Sequence, residues 1–74
     1  MKAKEIEVIL SAGGRLCVRH YPYGDEYIIE NDDGQDFKIT KNQFFKFKET
    51  CNGKDESDTT WFRGVTTTWY YWRK

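Results

Sequence analysis

Apolar and polar positions alternate along much of this 74-residue chain. Lys4–Ser11 carries Ile6, Val8 and Leu10 at every second position, and Arg15–Tyr21 carries Leu16 and Val18 in the same way. A period of two predicts strands with one buried face. Ala12-Gly13-Gly14 joins the two runs. A three-residue loop sets Leu10 against Leu16, Val8 against Val18 and Glu7 against Arg19. A two-residue loop would instead oppose Leu10 to Cys17 and Val8 to Arg19. The first register keeps one apolar face and adds a cross-strand ion pair, and a slip of one residue would turn the apolar set to solvent. Gly14 is then expected in the left-handed position that closes such loops.

A second hairpin follows the same rule. Tyr27–Asn31 and Gln35–Ile39 flank Asp32-Asp33-Gly34, which places Ile29 opposite Phe37 and Tyr27 opposite Ile39. Asp32-Asp33 suit a type I turn and Gly34 the left-handed residue after it. The period changes after Ile39. Thr40-Lys41-Asn42-Gln43 matches a capping box, and Phe44, Phe47 and Cys51 recur at helical spacing before Gly53. The spacing predicts a short helix over about 41–51; a strand with Phe45 and Phe47 on one face is the competing pattern. Asn52–Asp58 reads as a polar loop. Thr59–Arg73, rich in Thr, Val, Trp and Tyr, reads as extended. Gly64 is either a bulge in one long strand or the turn of a tight hairpin at Arg63-Gly64. The expected architecture is α+β: an antiparallel sheet of two β-hairpins and a long C-terminal strand, with one helix. Without the helix, a small SH3- or OB-like all-β barrel is the alternative.

Composition sharpens the reading of the C-terminal segment. A single domain of this length buries only ~60% of the surface that its unfolded chain exposes, so bulky side chains matter. All three tryptophans lie in Thr59–Lys74, with Phe62, Tyr70 and Tyr71. Trp69-Tyr70-Tyr71-Trp72 puts rings on both faces of a strand, whereas a small sheet usually has one buried face. One ring pair, Trp69 with Tyr71 or Tyr70 with Trp72, is thus left for contact. A bulge at Gly64 would decide which.

Twelve basic and twelve acidic residues balance. That disfavours a dedicated duplex-DNA binder and an acidic DNA mimic. The charges are segregated: Asp25–Asp36 holds six acids and no base, and Lys38–Lys48 four lysines and no acid. Solvated faces explain this, and so does a dipolar surface that steers a charged partner. No secretory signal or membrane span is visible, because Val8-Ile9-Leu10 is the longest aliphatic run. A cytoplasmic protein with Cys17 and Cys51 as free thiols is expected, although one bridge between them also fits the sequence.

Catalytic, cofactor and metal signatures are not found. His20 has no neighbouring acid or nucleophile in sequence and reads as a peripheral core residue. The turn Asn31–Asp36 fails as a calcium loop, since with Gly34 at its sixth position Ile29 and Thr40 would fall at the ligand ends. Gly13-Gly14 lacks a phosphate-loop continuation. The expected function is a small non-enzymatic module that binds a protein. Trp72, Tyr70 and Arg63 are the candidate anchors, with Trp69 and Arg73 beside them and Asp32, Asp33 and Asp36 as an electrostatic rim. Such a module would suit a mobile-element or phage protein that inhibits a host enzyme or defence complex, in the manner of an anti-CRISPR. The alternative is single-stranded nucleic-acid binding by Tyr70, Trp72, Lys46, Lys48 and Arg73. An unpaired strand edge would let two copies join, so monomer and homodimer both fit.

Overall fold

The computed structural model describes residues 1–59 and 65–73. Among these residues, five antiparallel strands form one sheet in the order β3-β2-β1-β5-β4: β1 (Arg15–Tyr21), β2 (Gly24–Glu30), β3 (Asp36–Lys38), β4 (Gly53–Thr59) and β5 (Val65–Tyr71). Two helices, α1 (Ala3–Ser11) and α2 (Lys41–Lys48), pack on one face of it. The α+β class with an antiparallel sheet is as expected. The sheet is open, so the barrel alternative does not apply.

The first predicted strand is a helix. Lys4–Ser11 satisfies both periods: Ile6, Val8 and Leu10 alternate, while Ile6, Ile9 and Leu10 lie one helical turn apart. The helix buries Ile6 and Leu10 and leaves Val8 59% exposed. Lys, Glu and Leu also favour a helix locally. The Glu5 carboxylate accepts from the Lys2 N–H at 3.4 Å. At the other end Gly14 N–H bonds the Ile9 carbonyl at 2.8 Å and Gly13 N–H that of Leu10 at 3.2 Å. This is the Schellman arrangement, and it puts Gly13, not Gly14, in the left-handed region at φ 101°. Gly14 is needed for a different reason, since a Cβ there would sit 2.6 Å from the Glu30 carbonyl oxygen. The expected Glu7–Arg19 pair gives way to Arg19 with Glu26.

The β2–β3 hairpin forms in the predicted register, with Ile29 opposite Phe37. Ile39 N–H reaches the Tyr27 carbonyl at 3.2 Å, and Gly34 has φ 85°. Thr40 caps α2: its Oγ1 accepts from the Gln43 N–H, and Gln43 Oε1 accepts from the Thr40 N–H, both at 3.1 Å. The helix ends at Lys48, earlier than expected. The predicted polar loop 52–58 is instead largely the edge strand β4. Its residues are polar because an edge strand exposes its backbone and gains nothing from apolar side chains. Gly53 opens β4 under the ring of Tyr71, where a Cβ would collide with the ring.

Ile6, Leu10, Leu16, Val18, Ile29, Phe44 and Phe47 form the core. Tyr27, Ile39, Tyr70 and Trp72 pack around it. Phe44 meets Tyr27 at 5.0 Å and Tyr70 edge-on at 5.8 Å between ring centres. Burying seven such side chains at ~1.5–3 kcal/mol each is the main stabilising term of the fold.

Candidate functional site

Strand alternation gives the sheet a second face. Leu16, Val18, Ile29 and Tyr70 point to the helices, so Arg15, Cys17, Arg19, Glu26, Ile28, Glu30, Trp69 and Tyr71 point the other way. None of the described helices covers this side. Its central row runs Lys38, Ile28, Cys17, Trp69, Asp55 across all five strands. Cys17 and Ile28 form a floor that is only 1% and 3% exposed.

Ion pairs frame that floor. Arg15 Nη2 lies 2.6 Å from Glu30 Oε1. Arg19 Nη1 lies 2.9 Å from Glu26 Oε1, and its Nη2 lies 3.5 Å from Asp36 Oδ2. Partial burial works against the Arg19 charge, but the Glu26 hydrogen bond outweighs it and holds the guanidinium above its ordinary pKa. The Arg15 guanidinium stacks on Trp69 at 5.1 Å, and the Tyr71 hydroxyl comes within 3.5 Å of Asp55. Burial pushes the Cys17 thiol up to about 11, so it stays a neutral thiol at neutral pH. Cys51, on the helix side, is likewise raised by burial. Both cysteines are free.

The predicted contact residues divide between the two faces. Trp69 and Asp36 are on the helix-free face. Tyr70 and Trp72 are on the helix side, packed against the core. The Trp72 indole N–H donates to Thr50 Oγ1 at 2.8 Å, and that hydroxyl donates to the Phe47 carbonyl at 2.6 Å. Asp32 and Asp33 lie exposed in the β2–β3 turn, away from both ring pairs. The Arg73 backbone is clasped by Asn52, whose Oδ1 accepts its N–H at 2.5 Å, and its side chain is exposed. Arg63, Trp61 and Gly64 lie outside the described residues. Of the nucleic-acid set, Lys48 sits 5.0 Å from the Tyr70 ring centre and Lys46 5.8 Å from that of Phe47.

Sequence reasoning missed Arg15, Arg19, Glu26 and Glu30. The signal was present. A tight turn at Pro22-Tyr23 aligns Arg15 with Glu30 and Arg19 with Glu26 in one register, and opposite charges at matched four-residue spacings mark a hairpin. His20, expected to be a core residue, is exposed at the end of β1, with Nδ1 2.9 Å from Asp25 Oδ1.

No family model, no curated protein and no solved structure matches the chain. Among the described residues no helix is long and apolar enough to cross a membrane, and no three or more His, Cys, Asp or Glu side chains are grouped so as to hold a metal ion.

Proposed function

We propose that this chain is a non-enzymatic binding module that docks on a protein through the helix-free face of its sheet. One observation carries this reading: Trp69 and Tyr71 face outward over a dry Cys17–Ile28 floor, inside a frame of paired charges. Aromatic and arginine side chains at the centre of a patch, rimmed by polar groups, are what protein interfaces favour. The charges oppose the nucleic-acid alternative. Among the described residues the four acids Glu26, Glu30, Asp36 and Asp55 outnumber Arg15, Arg19 and Lys38 on this face, and both arginines are already on carboxylates. A phosphate backbone would meet little free positive charge there.

Such a docking face suits inhibition by occlusion, the role of a phage-type inhibitor of a host enzyme or defence complex. The test is capture of partners from host lysate, followed by titration of the captured protein. Trp69→Ala is expected to weaken binding by about 30-fold or more, the ~2 kcal/mol of an interface hot spot. Equal binding by a folded Trp69→Ala variant overturns the placement. Binding of a single-stranded oligonucleotide that fades steeply with salt would favour the alternative.

A further inference from the structure

The β1–β2 hairpin extends past the end of β3. β3 pairs with β2 only as far as Ile28 opposite Lys38, with one more bond from the Ile39 N–H to the Tyr27 carbonyl at 3.2 Å. The chain then turns through Thr40 into α2. Among the described residues, Gly24, Asp25 and Glu26 therefore have β1 on one side and no strand on the other. In an antiparallel ladder alternate residues turn both backbone groups to the same neighbour. Tyr27 turns its carbonyl to the β3 side, so Asp25, two residues earlier, turns its N–H and C=O to the open edge.

A groove of about 430 Å³ runs along this edge, and Tyr21, Tyr23, Asp25, Glu26, Tyr27 and Ile39 line it. Lys38 also lines it. Tyr23 is 86% exposed, yet its ring is held parallel to that of Tyr21, with centres 5.1 Å apart and planes 14° apart. A flat, exposed ring beside carboxylates is a platform for a cation.

We propose that this groove takes an extended peptide segment of a protein partner. The segment adds a short strand to the Gly24–Glu26 edge and lays an arginine or lysine side chain over Tyr23, beside Glu26, which shares the Tyr21 face of the hairpin. Strand addition of this kind draws affinity from backbone hydrogen bonds and specificity from the side-chain sites next to them. Asp25 accepts from His20 and Glu26 from Arg19, but a carboxylate has about four lone-pair sites, so each retains acceptor capacity. Charge selects the occupant. A second copy of this chain, paired antiparallel through the outward backbone groups of Asp25, would set Asp25 opposite Asp25, and like charges across a ladder are destabilising. The same acids repel a nucleic acid.

This proposal stands apart from the docking face centred on Trp69, and its test separates the two. The probes are the acetylated, amidated heptapeptide TRTRTRT, its glutamate counterpart TETETET, and a TRTRTRT peptide methylated at alternate backbone nitrogens, each titrated to millimolar concentration against the ¹⁵N-labelled protein. The arginine peptide is expected to shift the amide signals of Gly24, Asp25, Glu26 and Ile39 and to slow exchange of the Asp25 N–H. Tyr23→Ala, at a site too exposed to affect folding, is expected to weaken it about two- to fivefold, the span of a cation–π contact at an exposed site. Glu26→Gln is expected to weaken it at least threefold, and Trp69→Ala to leave it unchanged. The proposal is overturned by no shift at this edge, by equal binding of the glutamate or the methylated peptide, or by full binding to Tyr23→Ala.

Discussion

Gly14 and Cys17 show how little room single positions have. Gly14 lies between the end of α1 and the backbone of β2, and any Cβ there meets Ile9 and the Glu30 carbonyl. Gly14→Ala is expected to destabilise the fold by about 1–3 kcal/mol, as overpacking does, read as a lowered urea midpoint. Cys17 has its thiol raised from 9.0 to about 11 by burial. The fold thus favours the neutral thiol, and the stability this provides is intact below pH 9 and lost as pH rises through about 11. Between those values the wild-type urea midpoint should fall more steeply than that of Cys17→Ala. Parallel pH profiles for the two proteins would refute the burial account.

At the scale of elements, α1 gives the clearest test of the fold. In a hairpin Val8 would be a core residue; in the helix it faces water. Val8→Lys is therefore expected to change stability by no more than about 0.5 kcal/mol. Ile6→Ala should cost about 2–4 kcal/mol, because Ile6 is fully buried. Thermal or urea melts decide it, and a large loss from Val8→Lys would favour the strand. Strand β4 makes the complementary point. Its polar composition reads as a loop, yet seven residues of it pair with β5. Lys54 and Glu56 meet at 3.0 Å on its surface, a contact open to solvent and worth little.

At the scale of the whole molecule, the two ring pairs of 69–72 have different duties. Tyr70 and Trp72 hold the sheet to α2, whereas Trp69 and Tyr71 dress the opposite face. Tyr70→Ala should lower stability by about 2–4 kcal/mol through lost packing on Phe44. Trp69→Ala should act mainly on partner binding. Melting curves of both variants, set beside partner titrations, separate a residue of the fold from a residue of contact. If Tyr70→Ala melts like the wild type, the assignment of the two faces is reversed.

The sequence by itself determined what local chemistry can determine. Gly34 with Asp32-Asp33 specified the β2–β3 turn, because only a left-handed residue closes that loop. Thr40 with Gln43 specified the start of α2, because both side chains bond within their own turn. The alternating rings of 69–72 showed that one pair would be left outside. Tertiary structure decided the rest. Lys4–Ser11 fits two periods, and burial of Ile6 and Leu10 against Leu16 and Phe44 selects the helical one. β4 has no pattern of its own and exists through pairing with β5. Which ring pair faces outward, and that Arg15, Arg19, Glu26 and Glu30 frame it, depends on the pairing of β1 with both β2 and β5. Contacts between residues far apart in the chain set that register, and no local window contains them.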